Sequence, residues 1–134
     1  MRIRDLLRYV AVLVMACLAA AGAHARVELG APTGQADVTV GCLYPLAGRA
    51  AIYGRDSIAA IKLALAELDA EPMRDWRPRL RVIVEDDRSK AAYGVRLASQ
   101  FIDHDKAQFL CGVVSSGVAQ AVSRLSRARK VIFV

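Results

Sequence analysis

Ligating and nucleophilic side chains are scarce in this 134-residue sequence: two histidines, three cysteines, and no spacing that would hold zinc. His24 and His104 stand far apart, and His104 sits between Asp103 and Asp105 in what reads as a solvated helix-ending turn. No metal and no other cofactor is expected. Phosphate cradles are missing too. The loop after the first mature strand has Pro45, Leu46 and Ala47 where a Gly-x-Gly-x-x-Gly turn needs glycines, and no Walker lysine follows. Ser115 and Ser116 have no base to activate them, because His104 falls toward the opposite end of the expected sheet. The chain is therefore expected not to be an enzyme. Aromatic residues make up 6% of the sequence and none interleaves with Arg79 and Arg81, so no nucleic-acid partner is expected.

What the sequence has is apolar side chain. Hydrophobic types are 55% and charged types 24%, which excludes the disordered class and suffices for one packed core. Length allows a single domain. The formal charge is +6, of which Arg2, Arg4 and Arg8 against Asp5 contribute +2, leaving a mildly basic +4 for the remainder.

Those arginines precede an uncharged apolar run over residues 9–21 and the small-residue pattern Ala23-His24-Ala25, the layout of a cleavable export signal. The run is shorter than the ~20 residues a membrane-spanning helix needs. Residues 1–25 are thus expected to be a signal peptide removed after Ala25, with the mature chain exported to an oxidising compartment. A lipoprotein is a minor alternative, since Val14-Met15-Ala16 precedes Cys17, although Met15 fits that pattern poorly. Export would leave Cys42 and Cys111 in an oxidising compartment, where a disulfide is open. Each lies in a short apolar run, where a cysteine commonly behaves as a small buried hydrophobe, and free thiols are the favoured expectation.

The mature part alternates between two periods. Residues 26–36 read as a loose segment broken by Gly30, Pro32 and Gly34. Residues 37–43 form a near-continuous apolar strand of the kind covered on both faces. From Tyr53 onward Ile58, Ile61, Leu65 and Leu68 recur at helical spacing, with Ala60 and Ala64 in the same stripe, and the helix ends before Pro72. Residues 79–85 alternate, which suggests an edge strand whose Arg79 and Arg81 discourage pairing with other chains. Ser89 is the expected N-cap of a second helix with Val95, Ala98 and Ile102 on one face, backed by Leu97 and Phe101. Gly94 weakens it. A third strand over residues 108–112 leads into a helix striped by Val118, Ala121, Val122, Leu125 and Ala128, whose Arg124, Arg127, Arg129 and Lys130 complement the negative end of its dipole. Residues 131–134 begin a fourth strand.

This order predicts an α/β fold, a three-layer open parallel sheet in which the four strands lie 2-1-3-4. The chain reverses across the sheet between the first and third strands. Ligands of open α/β sheets sit at the carboxyl ends of strands beside such a reversal, which singles out two loops, residues 44–56 and 113–117. Ser115 and Ser116 start a helix, where free backbone N–H groups and the dipole favour an anion; N-capping is the equally weighted alternative. Tyr53 either covers the apolar body of a ligand or fills the core.

The stretch Gly41-Cys42-Leu43-Tyr44-Pro45-Leu46-Ala47-Gly48, followed by Ala51-Ile52-Tyr53-Gly54, resembles the opening of the type I periplasmic solute-binding proteins of the branched-chain amino acid and amide group. Glu85-Asp86-Asp87, Gly112-Val113-Val114-Ser115-Ser116 and residues 130–134 match the same family in order. The resemblance implies the soluble receptor of an ATP-driven ABC importer, closing two lobes on an amino acid, amide or related small solute and delivering it to permease subunits. It implies that Ser115 and Ser116 hold the solute's carboxylate or polar head and that Tyr53 lines the pocket, with Asp86 and Asp87 as loop-organising or mouth residues rather than ligands. Such receptors have a second lobe, so residues 37–134 are expected to be an incomplete N-terminal lobe, a truncated fragment that binds solute very weakly or aggregates. The same fold also serves ligand-sensing regulators and receptor ectodomains. A phosphotransfer receiver is a remote alternative, because its acidic pair follows the first strand whereas here the acids follow the second.

Overall fold

A computed structural model describes residues 26–70 and 78–134. The expected signal segment, residues 1–25, lies outside the described residues. The elements run β1 (Val27–Gly30), β2 (Val38–Tyr44), α1 (Ala51–Ala70), β3 (Leu80–Asp86), α2 (Ala91–Asp103), β4 (Phe109–Gly112), α3 (Ser116–Arg129) and β5 (Ile132–Phe133). The sheet order is β1-β3-β2-β4-β5. Its last four strands pair in parallel in the arrangement expected from the crossovers, with β2 central between β3 and β4.

The addition is β1. The segment expected to be loose pairs antiparallel with β3, Val27 opposite Val84 and Gly30 opposite Arg81. β3 is consequently not an edge strand, and Arg81 through Glu85 are all buried. Arg81 is no edge guard either: its Nη2 donates to Glu28 Oε2 at 2.9 Å. Arg26 extends the cluster, donating to Glu85 Oε1 at 2.8 Å and pairing with Asp105 in the α2–β4 turn. Its hydrogen bond to Glu28 holds that carboxyl below the usual range, with Arg81 adding to the effect. Arg79 is exposed and pairs with Asp37. The alternation that suggested exposure thus marks a strand whose second face is covered by an ion network rather than by water.

Strand pleating sends neighbouring side chains to opposite faces, and two cores result. On one face Leu43, Ile83 and Leu110 pack with Leu97, Ala98 and Phe101 of α2 and Val118 and Val122 of α3. Gly41 is what lets α2 settle, since a Cβ there would overlap the Phe101 ring. On the other face Cys42, Val82 and Val84 pack with Ile58, Ile61 and Leu65 of α1 and with Val27 and Leu29 of β1. α1 begins at Ala51 and buries only Ala51 and Gly54 fully; Ala60, Ala64 and Leu68 of its expected stripe are exposed. Val95 and Ile102 are half-buried, and the fully buried face of α2 is Gly94, Leu97, Ala98 and Phe101. Ala128 of α3 is exposed as well.

Two local expectations are corrected. Lys90, not Ser89, occupies the N-cap of α2 and makes no side-chain cap. Ser89 instead follows Arg88 in the left-handed region, where the Asp87 carboxylate accepts its N–H at 2.7 Å and takes over the turn-closing role. The cysteines are bonded. Cys42 and Cys111 face each other in register across β2 and β4 with Cα atoms 4.5 Å apart and form a disulfide. Each apolar run by itself says nothing of its neighbour, and adjacency in the sheet brings both thiols to one face.

Candidate functional site

Parallel neighbours end at the same edge of a sheet. Leu43 lies opposite Gly112, so the loops after β2 and β4 leave the sheet side by side, and their chains go on to opposite faces, β2 into α1 and β4 toward α3. The reversal derived from the strand order therefore sits between the two expected loops.

The β2 loop is pinned at several points. Asp86 Oδ1 accepts the Leu46 N–H at 3.0 Å and the Arg88 N–H at 2.9 Å, and the Asp87 N–H donates to the Tyr44 carbonyl at 3.3 Å. These bonds give Asp86 the loop-organising place the resemblance implied. Gly54 presses α1 against this loop, since a Cβ at that position would collide with the Pro45 carbonyl. Tyr53, in the first turn of α1, is 57% exposed and is not core filler.

The β4 loop is turned by backbone conformation. Gly112 has φ +100°, and a Cβ there would come within 2.6 Å of the Leu43 carbonyl oxygen. Val113 also has positive φ, at 73°, a costly conformation for a β-branched residue. Its N–H donates to the Leu43 carbonyl at 2.7 Å, tying the turn to β2. Ser115 is the N-cap of α3 by backbone geometry, with φ −86° and ψ 125°, but its hydroxyl makes no cap hydrogen bond. Ser116 opens the helix and is exposed. Capping, the alternative explanation for Ser115, is thus not what its side chain does.

The fold brings the Tyr53 loop and the Ser115–Ser116 loop to one sheet edge without joining them by a hydrogen bond among the described residues. Large apolar side chains accompany the polar groups there: Ile52 is 52% exposed and Val114 43%. Residues 52–53 and 114–116 thus lie on the two loops at one exposed edge of the sheet, a shelf that carries both serine hydroxyls and apolar side chains. Tyr44, at the start of the first of these loops, carries no role in the sequence reading. It is half-buried at the end of β2, and its ring lies against the position a Gly112 Cβ would take. Its place in the motif after Leu43 was the available signal.

Two cavities lie elsewhere. One of about 330 Å³ is lined by Gly30, Leu65, Pro78 and Arg79, and another of about 520 Å³ by Arg96, Gln100, Asp103 and His104. Both belong to the amino-terminal end of the parallel strands, away from the shelf. Among the described residues no group of histidine, cysteine and acidic side chains could hold a metal ion, and no helix is long and apolar enough to cross a membrane.

Asp87 is the electrostatic exception. It is fully buried, its Oδ2 has no hydrogen-bond partner in the protein, and desolvation raises its pKa, with Asp86 adding to the rise and the Ser89 N–H opposing it.

Comparison with known proteins places this geometry. The family model described as periplasmic binding protein matches residues 37–134. No curated protein matches the sequence. Among solved structures, a solute-binding protein of an ABC transporter from Rhodopseudomonas palustris BisB5, in complex with 3,4-dihydroxybenzoic acid, is 27% identical with a TM-score of 0.64, over 72% of this chain and 26% of that one. A solute-binding protein from R. palustris in complex with benzoate is 25% identical, with the same TM-score and the same coverage. LivJ of Streptococcus pneumoniae, a branched-chain amino acid transporter substrate-binding protein in complex with isoleucine, is 21% identical with a TM-score of 0.63 over 72% of this chain and 27% of that one, a likeness of fold. The chain spans about a quarter of the length of these proteins. The reversed sheet with its shelf of serines and apolar side chains is accordingly a part of the type I architecture, and the chain belongs to the periplasmic binding protein family.

Proposed function

We propose that this chain forms the solute-contacting part of the amino-terminal lobe of a periplasmic receptor for an ABC importer. The observation that carries the proposal is the meeting of two loops at the reversal, one with exposed Val114, the uncapped Ser115 hydroxyl and exposed Ser116, the other with exposed Ile52 and Tyr53. Such a surface suits a small molecule with a carboxylate at one end and an apolar body: an amino acid, an amide or a related acid. Backbone N–H groups at the start of α3 and the two hydroxyls take the carboxylate, and the Tyr53 ring covers the body. The ligands named for the similar structures, isoleucine, benzoate and 3,4-dihydroxybenzoic acid, share that chemistry. No bond is made or broken in this role. Export through the segment over residues 1–25 would place the receptor in the periplasm, and permease subunits would take the solute from it.

The test is a titration of the oxidised chain with isoleucine and with benzoate, followed by backbone NMR. Shifts should concentrate at Tyr53 and at Ser115, Ser116 and Gly117. Ser116→Ala should weaken binding about tenfold, the scale of one hydrogen bond to a charged group. Uniform small shifts, or an affinity indifferent to Ser116, would remove these residues from the site.

A further inference from the structure

We propose that the Cys42–Cys111 disulfide and the left-handed Gly112–Val113 turn act together as a positioning device for the solute-facing serines. The inference rests on the proposed function only for what the serines hold. Its own basis is a convergence of constraints over three consecutive residues. Cys111 is bonded covalently to Cys42, its register partner in β2. Gly112 follows with φ +100°, a conformation that the Leu43 carbonyl leaves open only to a residue without a Cβ. Val113 follows with φ +73° and donates to that same Leu43 carbonyl at 2.7 Å.

A β-branched residue in this region persists only where its surroundings over-determine it. Here the surroundings are β2 on one side and the bond at Cys111 on the other. The product of the constraint is the direction of the chain at Ser115, whose hydroxyl is left without a cap bond. Val113 would leave the left-handed region if β4 could slide or lift from β2 at this point, and the start of α3 would turn with it. The disulfide prevents that movement at the residue where the turn begins. Cys42 and Cys111 are therefore positioning residues that act through Val113.

The distinguishing experiment combines two changes. The disulfide is removed in Cys42→Ala/Cys111→Ala, and the strain is removed separately in Val113→Gly, since glycine holds positive φ without cost. Amide exchange at residue 113 is the readout and needs no solute. In the double alanine variant it should quicken roughly tenfold, the scale of a residue released from a strained conformation. With Val113→Gly added, removing the disulfide should change it little. A disulfide that contributes only global stability would speed exchange equally in both backgrounds, and that result overturns the proposal.

Should the double variant be unfolded, the oxidised chain decides the question alone. The Val113 amide should then be well protected yet exchange faster than the slowest amides of β2, because its opening is local, whereas exchange at the rate of an unprotected amide would sink the device. Titration with isoleucine and benzoate forms a separate arm. Solute-induced shifts that avoid Tyr53 and residues 115–117 count against the proposed function, and the exchange results at residue 113 still decide the positioning role.

Discussion

Asp87 shows how a single residue can set a pH dependence. Its carboxyl is fully buried, with one oxygen on the Ser89 N–H and the other unpartnered, and desolvation foremost raises its pKa. A raised value in the folded state means that the native protein holds the proton more tightly than the unfolded chain does. The contribution of Asp87 to stability is therefore greatest below its unfolded value of about 3.9, declines as pH rises, and levels off above the folded value. Asp87→Asn does not titrate. The stability of the wild type relative to this variant should fall as pH rises above about 4, measured as the difference in urea midpoints; a difference that is flat or rises with pH contradicts the assignment. The sequence alone pointed to Asp86 and Asp87 as loop residues but could not divide their roles. Both are acidic residues in adjacent positions, and only the turn geometry shows that Asp86 caps two backbone N–H groups while Asp87 is enclosed.

At the level of elements, apolar patterning located every strand and helix of the parallel unit, the helices by their stripes and the short strands β4 and β5 by apolar runs that alternate with those helices. It failed at β1, a four-residue strand whose half-buried face carries Val27 and Leu29 and whose other positions are Glu28 and Gly30, with Arg26 just before it. Such a strand has no pattern of its own, and its partners Glu85, Arg81 and Asp105 lie more than 50 residues away. The candidate loops were legible for the opposite reason, since strand order fixes where a sheet reverses whatever the side chains are. Disulfide pairing was not legible, because it depends on the register of β2 against β4. Gly94 is a further case in which local propensity misleads. It costs α2 about 1 kcal/mol of helix propensity relative to alanine, yet a Cβ there would overlap Val118 of α3, a fully buried side chain. Overpacking a closed core costs about 1–3 kcal/mol, which on balance exceeds the gain in propensity. Gly94→Ala should therefore destabilise the protein by roughly 1 kcal/mol in equilibrium denaturation, opposite in sign to the propensity scale. A stabilised variant would mean that α2 and α3 can part without loss.

For the whole molecule, the two faces of the sheet are unequally closed. α2 and α3 cover one face with a continuous buried cluster, whereas α1 covers β1, β3 and β2 of the other and leaves Phe109, Ile132 and Val134 exposed. The face with the thinner cover carries the disulfide. Cys42 and Cys111 are separated by 69 residues in sequence, and the intervening chain includes α1, β3 and α2, the bulk of both layers. Closing a loop of that size restricts the unfolded chain by about 4 kcal/mol in the chain-entropy model. A domain's net stability is on the order of 5–15 kcal/mol, so this one bond could supply a large fraction of it. Replacing both cysteines by alanine should lower the unfolding free energy by about 2–5 kcal/mol. The denaturant midpoint should fall accordingly, and full reduction of the wild type should reproduce the loss. A change below about 1 kcal/mol would mean that the unfolded chain is already restrained without the bond, or that stability resides in the α2–α3 face alone. The size of this global effect is independent of the local one at Val113, since the first is read from the unfolding midpoint and the second from exchange within the native state. A chain that loses the first and keeps the second would have a staple without a positioning role.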